Sequence, residues 1–584
     1  MQDWILEELA GAEFGDERLK KRMQLLLDRC ARAPDASIKS ACKGAAEVVG
    51  AYRFLNNKQV DVPSILKPHR DATLERVKAC SRVLLVQDTT ELDYSTKTKL
   101  QGKGPLSYEN RTGFFAHNQL VITPERLTLG VWNTDIYARD VAEQGKSKKR
   151  KQRAFEDKES YRWLEGYRSG CELAQKAPGV QVIVCGDRES DVYEVFEDWH
   201  RRREAKEPAI ADWLIRCKEN RRLQPTGQGQ EDDDGTLIRT IRDKLEASPT
   251  MGTITIHVKK KIQCKNKRKN RKKTLRSARN AVLDIHYAPI APRPPYRRER
   301  KLAEVSFYAV MAREVDPPEG EDPIEWILLT SMPVKDYQSA VDIVALYSDR
   351  WEIEVFHRTL KTGCRVEELQ LKNDEPTKNA VALFMIVAWR VLYVMKLGRE
   401  CPELPCDAVF EADEWQAFWV IVHDGRQDAL VNKPSLGEFV RKVAEYGGFL
   451  GRKHDGHPGP QAIWQGMEKV RHYTIAWQVY VKQQGYKAYQ QSDSNSRHGS
   501  TPVEQSELIR SAPVRGWSCR APSARGGIWA SLTWGLRRQA LETSLRCSSP
   551  AEVPAVPVGA LSGAHRHPGA AEMCIRLRAK AARL

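Results

Sequence analysis

Two short apolar runs that each end on an aspartate constrain this chain most. Residues 82–88 read Arg-Val-Leu-Leu-Val-Gln-Asp, and residues 180–187 read Val-Gln-Val-Ile-Val-Cys-Gly-Asp. Runs so short, so apolar and so rich in branched side chains form buried strands, and each one delivers an acid to its polar end. Thr89-Thr90, which follow Asp88, predict a turn there. Residues 114–122 and 128–132 read as further strands, and 158–174 as a helix leading into the second acid-bearing run. Strands alternating with helices predict an α/β core.

A chain of 584 residues exceeds one ordinary core. Before the first acid, residues 3–32 have helical period broken at Gly11 and Gly15, and 45–55 read as another helix. Between the second acid and residue 331 the pattern turns to strands, at 213–217, 253–258, 281–286, 305–312 and 326–329. Residues 380–398 then form a strongly apolar helix, and helices continue over 411–478. The layout expected is a helical N-terminal domain at 1–66, a core at 67–211 and 332–372, and a β-rich insertion at 212–331. A helical C-terminal region at 373–484 and a disordered tail at 485–584 complete it. Beyond Lys487 there are twelve arginines and one lysine amid Ala, Pro, Ser and Gly, without hydrophobic period.

At about 100° per residue, Tyr347, Arg350, Glu354, His357 and Lys361 fall within roughly an 80° arc of one helix. Ile353, Phe356 and Leu360 share a neighbouring arc, so such a helix buries one side and presents a carboxylate flanked by cations on the other. That arrangement suits phosphates and a metal. An amphipathic surface helix stitched by Arg350 and Glu354 at i,i+4 has the same pattern. Asp88, Asp187 and Glu354 are candidates for a two-metal phosphoryl-transfer centre, because magnesium takes oxygen from few carboxylates plus substrate phosphate. Glu189 and Asp191 rival Asp187, and Asp93 rivals Asp88. His117 is a lesser candidate near the metals, and His357 for touching DNA.

The formal charge of +17 and pI near 9.2 favour a polyanionic partner. Lys259-Lys260-Lys261, then Lys265, Lys267, Arg268, Lys269, Arg271, Lys272, Lys273 and Arg276, occupy a stretch without acid from Met251 to Asp284, which favours phosphate contact over a merely solvated hairpin. Arg18, Lys20, Lys21, Arg22, Lys39, Lys43 and Arg53 give the N-terminal helices cationic faces. The 13 cysteines show no Cys-x-x-Cys pair and read as reduced thiols. The N-terminus lacks a signal-peptide core and no 18-residue uncharged apolar run follows, so the expected location is the bacterial cytoplasm, at the nucleoid, with no membrane partner.

Gln87-Asp88-Thr89-Thr90, Cys185-Gly186-Asp187-Arg188-Glu189-Ser190-Asp191 and the stretch from Tyr347-Ser348-Asp349-Arg350-Trp351-Glu352-Ile353-Glu354 to Lys361 together resemble the bacterial DDE transposases of the insertion-sequence-four family. Gly15-Asp16-Glu17-Arg18, Gly50-Ala51-Tyr52-Arg53-Phe54 and Gly447-Gly448-Phe449 extend the resemblance, which runs from about residue 3 to 480. It implies DNA-end binding for the domain at 1–66 and dimerisation for the region at 373–484. It also implies a ribonuclease-H-like core interrupted by the insertion, with Asp88, Asp187 and Glu354 as catalytic and metal-binding residues. Two Mg2+ ions per site, or Mn2+, are the implied cofactors. Tyr347, Arg350 and Lys361 match positions that contact phosphates at the transposon end, and Trp326 and Trp351 positions that accommodate a flipped base. Arg216 and Arg53 complete the expected DNA contacts. The implied partners are double-stranded DNA, both terminal repeats and target, and a second copy of the chain in the DNA complex, with dimer contacts around 435–477. The implied activity is cleavage and strand transfer; the rival is a non-catalytic DNA-binding regulator or inhibitor of transposition.

Overall fold

The computed structural model describes residues 2–496 apart from 109, 142–152, 225–237, 259–260, 267–270, 299 and 454. Described residues through Thr474 form one compact unit, and from Ile475 the last helix, Pro460–Ser496, belongs to a second. A ten-stranded mixed sheet frames the first unit. β1 (Arg82–Asp93), β2 (Gly104–Pro105), β3 (Thr112–Ile122) and β4 (Thr128–Tyr137) come first, with β1–β3 and β3–β4 antiparallel. β5 (Gln181–Gly186) pairs parallel with the other edge of β1, and β6 (Asp212–Arg216) parallel with β5. Parallel neighbours need crossovers, and the helices Tyr161–Lys176 and Tyr193–Glu204 lie in them. Val83 to Val86 and Val182 to Cys185 are buried, as expected of strands covered on both faces.

β6 falls inside the segment the sequence assigns to the insertion, yet it is the third parallel strand. Four more strands of that segment, β7 (Gly252–Val258), β10 (Arg279–Ile290), β11 (Phe307–Glu314) and β12 (Glu325–Thr330), prolong the same sheet in the order β6-β12-β11-β10-β7. β8 (Lys261–Asn266) and β9 (Arg271–Arg276) form a separate antiparallel pair within the basic run. Lys259, Lys260, Lys267, Arg268, Lys269 and the tail from 497 lie outside the described residues.

The Tyr161–Lys176 helix settles closely on the sheet because two of its residues are glycines. A Cβ on Gly166 would come within 1.9 Å of Gln87 Oε1, and one on Gly170 within 2.3 Å of Val184 Cγ2. The Val62–Val77 and Asp374–Glu400 helices pack on β4. The latter is long and apolar enough to cross a membrane, but 94% of its most apolar window is buried inside the unit, where Trp389 Nε1 donates to the Thr128 carbonyl at 2.9 Å.

Two local expectations are corrected. β1 does not turn at Thr89-Thr90 but runs on to Asp93, because β3 supplies antiparallel partners over that whole length, from Asp88 opposite Asn118 to Asp93 opposite Gly113. The 347–361 stretch is not one helix either. A helix ends at Asp349 (Tyr337–Asp349), a second spans Glu352–Arg358, and a π-turn covers Thr359–Gly363.

Candidate active site

Strand register brings the two aspartates together. β1 and β5 pair one to one up to Val86 and Cys185, and two further steps along each chain reach Asp88 and Asp187. The Asp88 side chain lies on the sheet face opposite Gln87 and Thr89, since strand side chains alternate. Its Oδ1 accepts the Thr89 N–H at 2.8 Å. Asp187 follows the last residue of β5 and caps the short turn Arg188–Ser190, accepting the Glu189 N–H at 2.8 Å. Glu354 arrives from the Glu352–Arg358 helix, whose Ile353 and Phe356 are fully buried and seat it.

Arg350 stands between these acids. Its Nη2 donates to Glu354 Oε1 at 2.7 Å, and its Nη1 lies 3.5 Å from Asp88 Oδ2. One guanidinium does not balance three carboxylates. Burial, then the charge of Asp187, push the Asp88 carboxyl up to about 7; Arg350 opposes the rise and Glu354 adds to it. Among the described residues no three His, Cys, Asp or Glu side chains surround a metal-sized point, and the Arg350 guanidinium lies between Asp88 and Glu354. The donor set, two aspartates and a glutamate, is all oxygen and fits a hard divalent cation.

The rival acids are engaged elsewhere. Asp191 is buried, paired to Arg221 at 2.5 Å, and accepts the Lys218 and Glu219 amides. Asp93 accepts from Ser95 and Arg111. Glu189 sits close enough to Asp187 that burial, then that charge, raise its proton affinity.

A second cluster adjoins the acids. Tyr347 is buried with its ring edge-on to Trp326, centroids 5.6 Å apart, and the Arg350 guanidinium 5.8 Å from it; burial pushes its phenol up to about 12. Arg216, at the end of β6, donates to the Glu325 carbonyl at 3.1 Å and lies near the Tyr347 phenol, while its Nε is buried without a partner. Trp351, at the junction between the two helices, is 60% exposed. Lys361 leaves the predicted stripe: in the π-turn its Nζ donates to the Glu91 carbonyl at 2.7 Å and lies 3.3 Å from Glu367. Arg53 is exposed on the Gly44–Leu55 helix, beside a groove it shares with Arg22 and Arg29, away from the acids.

The two histidines are interior groups. His117 faces away from Asp88, against Thr89 Oγ1 at 2.8 Å and edge-on to Trp163, and burial pulls its pKa down to about 4. A cleft of about 1240 Å³ opens on that face, among Thr89, His117, Tyr137 and Arg162, and the three acids are not part of its lining. His357 is buried too, so it does not reach DNA, and accepts a hydrogen bond from Asn118 at 3.0 Å. Asn118, the cross-strand partner of Asp88, was overlooked in the sequence. Its signal was present, since alternation puts His117 and Asn118 on opposite faces, and only one face can be that of Asp88.

Three family models match along the chain. Residues 1–60 match transposase DNA-binding, residues 175–389 the transposase DDE domain, and residues 386–486 the transposase Tn5 dimerisation domain. The DDE match contains Asp187 and Glu354 and begins after Asp88.

Proposed function

We propose that this chain is a Tn5-like DDE transposase, a DNA-binding enzyme that cleaves DNA and transfers strands in transposition, with Asp88, Asp187 and Glu354 as its catalytic and metal-binding acids. The observation that carries this reading is the convergence of the three acids. The parallel pairing of β1 with β5 runs to Val86 and Cys185, two residues before Asp88 and Asp187, and one guanidinium, that of Arg350, reaches both Asp88 and Glu354, while burial and then the Asp187 charge push the Asp88 carboxyl up to about 7. The strand order β4-β3-β1-β5-β6, antiparallel then parallel, supports a ribonuclease-H-like core, with the strands after β6 as its insertion. Within DDE transposases the motifs support membership of the insertion-sequence-four family and resemble those of the cut-and-paste transposase of the composite kanamycin-resistance transposon.

Asp88, Asp187 and Glu354 would hold two magnesium ions, or manganese, whose chemistry when bound would be to activate a water or DNA 3′-hydroxyl and offset charge on the leaving oxygen. The chain's own groups do the rest. Arg350, held here between Glu354 and Asp88, carries a planar guanidinium of the kind that grips phosphate in bidentate fashion, and on DNA binding it would meet the scissile strand's phosphates. Tyr347 and Arg216 back it, and the unpartnered Arg216 Nε is a buried donor suited to a phosphate oxygen. The exposed indole of Trp351 offers a face to an extruded base, and Trp326, edge-on to Tyr347, is a second aromatic for such a base. Lys361 and the N-terminal Arg53 extend the phosphate track, and a homodimer pairs two transposon ends.

The test is cleavage of a supercoiled plasmid carrying the element's terminal repeats. Asp88→Ala, Asp187→Ala and Glu354→Ala should each abolish strand cleavage in Mg2+ while end binding in a gel-shift assay stays within about twofold. Cleavage retained by any purified variant would remove that residue from the triad.

A further inference from the structure

Three acids from separate elements make one site only if their spacing is held while DNA and cations come and go. Arg350 ties Glu354 to Asp88 with the guanidinium that the proposed function assigns to the scissile phosphates, so it would not hold that spacing alone. Beneath the acids a second link has no such duty. Asn118 on β3 is the Cα partner of Asp88 across the strand pair, and on its far side it pairs with Thr134 of β4. Asn118, Asp88 and Thr134 therefore share a sheet face. The Asn118 amide is fully enclosed, at 0% exposure. Its Oδ1 accepts from Thr134 Oγ1 at 2.7 Å, and its Nδ2 donates to His357 Nε2 at 3.0 Å and towards the Ala116 carbonyl at 3.4 Å. His357 stands three residues after Glu354 on the same short helix, hence on the same helical face.

We propose that Asn118 and His357 are positioning residues, a buried link that fixes Glu354 against the strand carrying Asp88. It rests on the reading of these acids as the metal-binding set. The link joins the two elements at the residue beside Asp88 and one helical turn beyond Glu354, so loss of it lets the short helix shift relative to β1. It works with a neutral imidazole, because Nε2 must keep its lone pair to accept the amide. The enclosed site satisfies this, as burial, followed by the charges of Lys361, His117 and Arg350, pulls His357 down to about 3. The neighbours facing this imidazole thus keep the link intact across the working pH range.

Mn2+ binding to the full-length chain, followed by electron paramagnetic resonance, tests this beside plasmid cleavage. His357→Leu should weaken Mn2+ binding about tenfold, the scale on which outer-shell supports act, and raise by a similar factor the Mg2+ needed for half-maximal cleavage. End binding should be unchanged. Thr134→Val, nearly isosteric, should shift binding the same way by about threefold, and His357→Gln, whose Oε1 can take the amide proton, should restore most of the loss. In a combined Asn118→Ala/His357→Leu variant the loss should not exceed that of the worse single change, since both remove one bond. Normal Mn2+ binding in His357→Leu and Thr134→Val, with binding lost in Asp88→Ala and Glu354→Ala, overturns the link while leaving the triad standing. Equal losses in His357→Gln and His357→Leu, tracking a lowered melting temperature, overturn it as well. If Asp88→Ala and Glu354→Ala bind Mn2+ normally, the metal-site reading falls and this one with it.

Discussion

At the residue scale Asp88 is a carboxyl whose chemistry is strongly altered by its surroundings. Burial and the charge of Asp187 lift its carboxyl from an ordinary 3.8 to about 7. Between those values the folded chain keeps a proton that the unfolded chain has lost, so stability falls as pH rises through that window. Asp88→Asn removes the effect: at pH 8 it should melt higher than the parent, by up to a few kcal/mol (about 2–4), and the gap should close towards pH 4. Divalent cations should do for the parent what the substitution does. Mg2+ should raise its melting temperature more at pH 8 than at pH 6, and should leave Asp88→Asn nearly unmoved. Arg350 yields a second expectation. Arg350→Lys keeps the charge but loses the fork that reaches Glu354 and Asp88 together. Cleavage should fall by about 10²-fold or more, as for loss of a charge-stabilising donor, with end binding weakened less. Both acids that end apolar runs, and the glutamate three residues before His357, were legible as residue types in sequence. Which neighbour each would face was not, because burial and opposing charge are properties of the assembled sheet.

At the element scale the sheet and its helices depend on close approach. Gly170 lets the Tyr161–Lys176 helix lie on β5, whose next residue is Asp187. Alanine there gains about 1 kcal/mol of helix propensity, but its Cβ would meet Val184 Cγ2 at 2.3 Å. Overpacking costs about 1–3 kcal/mol, and the clash wins. Gly170→Ala should lower the melting temperature and slow cleavage, while end binding by the N-terminal helices is kept. Sequence periodicity located most of these elements within a few residues. It passed over the Val62–Val77 helix, whose Pro63 and Pro68 read as breaks although an Asp61 cap and its first-turn proline suit a helix start. It passed over Tyr193–Glu204 too, because Glu194, Glu197 and Asp198 occupy buried positions that look polar until Arg297, Arg300 and Arg202 pair with them. The single helix drawn from Tyr347 to Lys361 failed for the opposite reason. Its spacing was right for a helix, but the backbone re-aims at Arg350 and Thr359, so Tyr347 and His357 go inward and Lys361 goes to β1.

At the scale of the whole molecule, the N-terminal helices are fastened to the catalytic sheet by a buried charge cluster. Glu8 takes both Arg76 nitrogens at 2.8 and 2.9 Å and His69 Nδ1 at 2.5 Å, while His69 Nε2 accepts the Val131 amide on β4. Burial works against the Glu8 charge, but Arg76 and His69 overcome it and hold the carboxyl down to about 2. Its contribution is present above the ordinary value of 4.5 and is lost as pH falls towards 2. Glu8→Gln strands a buried guanidinium and should cost about 3–5 kcal/mol, read as a lower melting temperature and faster proteolysis of the first 32 residues. The sequence alone determined the α/β class of core and the basic character and picked out three candidate acids, because short-range pattern, charge and motif spacing are properties of a linear string. Only the tertiary structure decided that β6 belongs to the parallel set, that Arg350 sits between two acids and that Asn118 reaches His357. Those depend on which distant segments share a strand edge or a face, and pairing over 239 residues, as between Asn118 and His357, leaves no local periodicity to read.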